Sequence, residues 1–180
     1  MTTSPTGDRG KALGHLRAML AAASALQTWV SAEDADGALE HIYIGALPPP
    51  AADGETGEVP DTHSLSELAE YRPLVVVGTE VYERRKVALG TWAGSGTIAA
   101  YFEQAVPSEI ANDPDEVETR WANTLDGILA AVEALSETAG YLSFDSWKLG
   151  EPLGRCDPTE IPAQGDHQFA TVRFDWGEDS

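Results

Sequence analysis

The run Asn112-Asp113-Pro114-Asp115-Glu116 constrains this chain more than any other stretch of it. Asp113 is a natural N-cap, and Pro114 suits the first helical position, where its missing N–H would have no partner anyway. Glu116 stands where a capping box closes. A helix must start here. Beyond it Val117, Trp121, Leu125, Ile128, Val132 and Leu135 recur three or four residues apart, and Gly140 is placed to terminate the helix. One apolar stripe of this kind has to be laid on another apolar surface.

The remaining patterns supply that surface. Leu13, Leu16, Leu20, Ala23, Leu26 and Val30 share the same spacing and predict a second helix from about Gly10 to Ser31. Gly37 is expected to end the turn after it, and His41-Ile42-Tyr43-Ile44-Gly45 suits a strand. Ser64 or Thr62 can cap a short helix, with Glu67 in the capping-box position for Ser64, Tyr71 near its end and Pro73 as its stop. Leu74 to Val77 is a continuous apolar run, expected of a strand buried on both faces and broken by Gly78. Val81 to Thr91 and Thr97 to Glu103 flank Trp92-Ala93-Gly94-Ser95-Gly96, which predicts a long hairpin with a glycine-rich tip. Tyr141 to Leu149 and His167 to Trp176 read as two closing strands, separated by a Pro/Gly-rich loop. In the last strand Ala170, Val172, Phe174 and Trp176 alternate with Phe169, Thr171, Arg173 and Asp175, as in a sheet with one face packed on helices.

The expected fold is α+β, two principal helices packed on a mostly antiparallel sheet with a long β-hairpin, in one domain over residues 1–180 with no internal repeat. Residues 1–9 and 177–180 are expected to be flexible ends. Residues 47–63 carry four prolines and two glycines but no aliphatic side chain after Leu47 except Val59 and a few alanines, a composition that fits either a mobile loop or a partner-binding one. With 180 residues, 42% of them hydrophobic, the chain can bury a core without disulfides or structural metal. The single cysteine, Cys156, forms no intramolecular disulfide and reads as the product of a reducing cytoplasm. No stretch reaches the roughly eighteen apolar residues of a membrane span. Met1 to Gly10 is polar and carries Asp8 and Arg9, so no signal peptide is expected and the chain should stay in the cell that makes it.

Thirty acidic against 11 basic residues give a net charge of −19, which argues against a sequence-specific nucleic-acid binder. An acidic surface either keeps an abundant protein soluble or forms a wall past which DNA slides without sticking. No constellation for catalysis stands out, and neither enzyme activity nor a cofactor is expected. His15, His41, His63 and His167 lack the spacing of a metal pair. Gly94-Ser95-Gly96 lacks the Lys and following helix of a phosphate loop, and the helix behind a nucleophile elbow. Cys156, near Asp157 and Glu160 with Arg155 adjacent, is a poor candidate for an activated thiol.

One basic cluster interrupts this acidity, Arg84-Arg85-Lys86 in a hairpin strand, with Arg84 and Lys86 on one face and Arg85 on the other. Two readings are open. The cluster is a solvated edge that guards against aggregation, or it docks on a neighbouring copy. From Glu33 to Glu70 the chain has ten acidic residues and no Lys or Arg, so basic hairpin on acidic flank would make a head-to-tail contact able to close into a ring. Tyr82, Arg84, Arg85, Lys86 and Trp92 are accordingly the candidate interface residues.

The order of elements, ending with Gln164-Gly165-Asp166-His167-Gln168 through Phe174-Asp175-Trp176-Gly177, resembles the tail-completion proteins of long-tailed bacteriophages and prophages. Among these it is most similar to the tail terminators. The resemblance covers nearly the whole chain as an order of elements, has a sequence-like part only in GDHQFATVRFDWG, and carries over no catalytic residue. It implies a virion protein that forms a ring, usually a hexamer, on the head-proximal end of the tail tube, ending tube growth and joining tail to head. The implied partners are further copies of the chain, the tail tube protein and head-completion or connector proteins. Double-stranded DNA would pass through an acidic lumen without specific binding, and no membrane is involved. The implied location is the tail or neck of the virion, after assembly in the bacterial host cytoplasm. A globule of this length is about 40 Å across, so six in a ring leave room for a duplex. The loop from Leu47 to Ser64 is longer than a compact terminator needs, which leaves a head-to-tail connector or a tail-tube subunit open. A reading of another class is a small-ligand-binding α+β domain, with its site beneath the 48–63 loop near Tyr43, His63 and Trp92.

Overall fold

The apolar stripe near the N-terminus folds as helix, but in two pieces: α1 (Asp8–Ala22) and α2 (Ser24–Trp29). Ala23 between them is extended, at φ −71° and ψ 115°, and the Gln27 side chain donates to the Ala21 carbonyl (2.9 Å) that the break would otherwise strand. The stripe survives the break, for Leu13, Leu16, Leu20, Ala23, Leu26 and Val30 are all buried. A computed structural model describes residues 8–52, 54–60, 62–88, 91–136, 143–144, 147–152, 157–159 and 167–178. Gly140, Cys156 and the segment Gln164 to Asp166 lie outside the described residues.

Gly37, expected to end a turn, instead sits inside a short helix, α3 (Ala35–Leu39). The Asp34 carboxylate accepts from the Gly37 N–H (2.9 Å) and starts that helix. Strand β1 (Ile42–Ile44) follows, then α4 (Leu65–Tyr71), whose cap is Ser64. Its capping box is complete: the Glu67 N–H donates to Ser64 Oγ (3.2 Å) and the Ser64 N–H to Glu67 Oε2 (2.8 Å).

Two corrections concern the hairpin. Gly78 does not break the apolar run, which continues as one strand, β2 (Leu74–Ala88), with Gly78 paired to Ala99. A glycine with both neighbours held in a ladder stays extended. Trp92 to Gly96 is not a tip but part of β3 (Thr91–Ala105), in register with β2 from Lys86 back to Tyr82. The connection between the two strands, residues 89–90, lies outside the described residues.

Helix α5 (Pro114–Ser136) starts where the sequence places it. The Glu116 N–H donates to Asp113 Oδ1 (3.2 Å), while the Glu116 carboxylate accepts from Arg120 Nε (3.0 Å). Of its apolar stripe Val117, Trp121, Leu125, Ile128 and Val132 are buried and Leu135 is partly so. The strand expected from Tyr141 to Leu149 is divided into β4 (Ser143–Phe144) and β5 (Trp147–Pro152), which pair with each other. The loop before the last strand contributes β6 (Asp157–Thr159), and β7 (His167–Glu178) closes the chain. Two residues assigned to flexible ends, Gly177 and Glu178, belong to β7. Asp8 and Arg9 likewise belong to α1, and Arg9 Nε donates to Thr79 Oγ1 (2.9 Å).

The fold is α+β. Among the described residues the seven strands form one sheet in the order β1-β2-β3-β7-β5-β4, with β6 also on β7, and β1–β2 is the one parallel pair. In β7 Ala170, Val172, Phe174 and Trp176 are buried beneath the helices, the parity that the alternation predicts. They join Leu16, Met19 and Leu20 of α1, Ile98 and Phe102 of β3 and Ile128 of α5 in one hydrophobic cluster. Each large apolar side chain buried this fully contributes roughly 1.5–3 kcal/mol. Trp29 of α2 ties the layers together, with its ring 6.0 Å from both Phe102 and Trp121.

Candidate functional site

The candidate interface residues lie on a ribbon that leaves the sheet. Strand β1 covers the outer edge of β2 only at Val75 to Val77, and β7 covers β3 only from Gly96 to Ala105. Past those limits, among the described residues, β2 and β3 pair only with each other. Nine residues separate Val77 from Lys86, so the ribbon carries the basic run about 30 Å from the end of β1.

A bulge sets which way this ribbon faces. Thr79 pairs with Ile98 but Val81 pairs with Thr97, so Glu80 is an extra residue and the parity of β2 reverses there. The reversal brings Tyr82 to the Trp176 side of the sheet, where the two rings stack at 6.0 Å and 11°. Such a pair adds roughly 0.5–1.5 kcal/mol to its area burial. Between them, in register with both, is Gly96. A Cβ on Gly96 would stand 2.1 Å from the Val81 carbonyl oxygen, and one on Gly94 would stand 3.1 Å from Tyr82 Cε2. The two glycines therefore serve close approach within a strand, not a turn. Arg173 of β7 anchors the bulge with two bonds to the Glu80 carboxylate (2.7 and 3.0 Å), and Thr97 Oγ1 donates to Asp175 Oδ1 (2.8 Å).

Along the ribbon Tyr82 and Lys86 are exposed, and Val81 beside them is exposed too. Arg84 pairs in register with Gly94, Arg85 with Ala93 and Lys86 with Trp92, so all five candidate residues fall on one continuous two-stranded element. Most other described arginines are engaged within the fold. Arg17 donates to the carbonyls of Ile42 and Leu39 (2.9 Å each), Arg72 pairs with Glu103, and Arg120 pairs with Glu116.

The residues named for a ligand site do not converge. Tyr43 and His63 both meet Tyr71 edge-on, at 5.8 and 5.5 Å, but Trp92 lies about 30 Å further along the hairpin. His63 Nε2 donates to the Pro48 carbonyl (2.8 Å) and the Ala51 N–H donates to Glu67 Oε1 (3.1 Å), which pins the base of the 47–64 loop to α4. Hydrogen bonds from the Ser64 backbone, the Ser64 hydroxyl and the Ala51 N–H hold the Glu67 carboxyl below its ordinary pKa. Burial, then the nearby Tyr71 and Glu40, push Tyr43 up, and burial pushes His15 down. Tyr101 is pushed up to about 12, by burial first and then by the Glu103 charge, with Arg72 opposing.

Sequence reasoning missed a polar path through the core. Trp29 Nε1 donates to Gln104 Oε1 (2.7 Å), Gln104 Nε2 to Gln168 Oε1 (2.8 Å), and Gln168 Nε2 to the Val117 carbonyl (2.9 Å). Gln168 has the core-facing parity of β7 and is only 2% exposed, so a polar residue at a core position was the available signal. Among the described residues no three of His, Cys, Asp and Glu gather as a metal site would need, and no helix is long and apolar enough to cross a membrane. What the arrangement offers is a recognition surface, a ribbon with open backbone edges, a basic run and exposed apolar side chains. In comparisons with known proteins, no family model matches this chain and no curated protein matches it.

Proposed function

We propose that this chain is a structural protein of a bacteriophage tail. In this reading it is a tail terminator, forming a ring at the head-proximal end of the tail tube, ending tube growth and joining tail to head. The observation that carries this reading is the β2–β3 ribbon, which extends beyond the sheet with open edges and the run Arg84-Arg85-Lys86, on a chain of net charge −19. A monomeric binding domain has no use for such an arm, whereas a ring subunit needs a protruding element that differs from the surface it grips. The acidity supports the same reading, because a channel wall of this sign repels the phosphate backbone and lets a duplex slide. The subunit is taken to act without catalysis or cofactor, with the tube protein and head-completion or connector proteins as neighbours.

The test is immunogold labelling of tailed particles from the native source with an antibody to this chain. Label at one discrete level between head and tail is the expected result. Label along the whole tail would make the chain a tube subunit instead. An absence of label from all particles would overturn the reading and direct attention to ligand binding, read as thermal stabilisation in a metabolite screen.

A further inference from the structure

The exposed large hydrophobic residues described in this chain number four, and they fall into two groups. Val81 (49% exposed) and Tyr82 (45%) lie on the ribbon, next to Arg84-Arg85-Lys86. Ile44 (39%) and Val59 (55%) lie in the segment from Glu33 to Glu70, which has no Lys or Arg. In that segment Glu33, Asp34, Asp36, Glu40, Glu55, Glu58 and Glu70 are all exposed. One surface is thus basic with an apolar pair and the other is acidic with an apolar pair. Apolar contact ringed by complementary charge is the composition of a specific protein interface.

We infer that the ribbon of one copy docks on the Glu33–Glu70 flank of the next, with Val81 and Tyr82 meeting Ile44 and Val59 while the basic run faces the exposed carboxylates. The inference rests on the ring reading and names the two surfaces that would make the ring. It is an intermolecular contact because β2 leads the basic run away from its own flank, whose loop is held to α4 through Pro48–His63 and Ala51–Glu67. The two surfaces differ, so the contact is head-to-tail and propagates until rotation closes it.

The experiment is sedimentation velocity of the purified chain up to millimolar concentration, at low and high salt. The parent is expected to associate, more weakly as salt rises. Arg84→Glu with Lys86→Glu on the ribbon, and separately Glu33→Lys with Glu40→Lys on the flank, should each weaken association by about tenfold or more. An equal mixture of the two charge-reversed variants should recover it, since opposite charges face each other again. Val81→Ser should weaken association while leaving its salt dependence unchanged. Circular dichroism melting checks that every variant is folded, and the recovery by mixing is a result that misfolded chains cannot give. Reversed variants that associate as the parent does, or a mixture with no recovery, would overturn the docking. A parent that stays monomeric at millimolar concentration would overturn it as well. None of these outcomes bears on where label falls on particles, so the ring reading stands or fails separately.

Discussion

Gly96 has no room for even a methyl group, because the Val81 carbonyl occupies the place where a Cβ would go. Three glycine substitutions in the same hairpin should therefore rank in a fixed order. Gly96→Ala is expected to cost about 3 kcal/mol in urea unfolding, by forcing backbone apart. Gly94→Ala should cost about 1 kcal/mol, since the crowding atom belongs to the Tyr82 ring, which can shift. Gly78→Ala meets open space and should be neutral or stabilising by up to about 1 kcal/mol. Gln168→Ala should cost about 2–3 kcal/mol in the same assay, because it leaves the Gln104 amide without its acceptor and opens a gap beneath α5. Tyr101 gives a pH prediction. Its pKa in the folded chain, about 12, lies above the ordinary tyrosine value of 10.0, so its contribution is complete below pH 10 and is lost as pH rises towards 12. Stability measured between pH 9 and pH 12 should fall less steeply in Tyr101→Phe, and ultraviolet titration should show a late phenol that the variant lacks.

At the scale of elements, the 47–64 loop is fastened to α4 through one carboxylate, for Glu67 accepts from the backbone of both Ser64 and Ala51. Ser64→Ala should raise amide exchange at Glu67 roughly fivefold or more and loosen Ala51 with it. Because hydrogen bonding depresses the Glu67 pKa, the fastening is complete above the ordinary carboxyl value of 4.5. It is lost as pH falls through the lowered one, which exchange measured over an acidic series would follow. How legible each element was in the sequence follows from the range of the forces that make it. Helix α5 and the inward parity of β7 were readable because a period of 3.6 or 2 repeats over many residues. The cap at Ser64 was readable because its partners lie three residues apart. The break at Ala23 was not, since the stripe continues across it. The bulge at Glu80 was invisible because its anchor, Arg173, is 93 residues away. For the same reason Gly94 and Gly96 passed for a turn: the rings that crowd them belong to β2 and β7. The candidate site was legible as one ribbon bearing Tyr82 and the basic run, while the stack of Tyr82 on Trp176 came from tertiary structure.

For the whole molecule the acidic charge sets the terms of assembly. Copies carrying −19 each repel one another, so any ring must place its few basic groups where they relieve that repulsion. The ribbon is the element that reaches far enough to do so, and assembly should accordingly be favoured at moderate rather than very low ionic strength, where general repulsion dominates. A salt series followed by light scattering is expected to pass through a maximum. The central claim is that the chain forms one closed ring between head and tail. Electron cryomicroscopy of intact particles tests it most directly, by asking where density matching this fold occurs and how often. The account predicts a single ring of identical subunits at the head-proximal end of the tube, each ribbon lying on the Glu33–Glu70 flank of its neighbour. Density repeating along the tail, or particles without this chain, would contradict it.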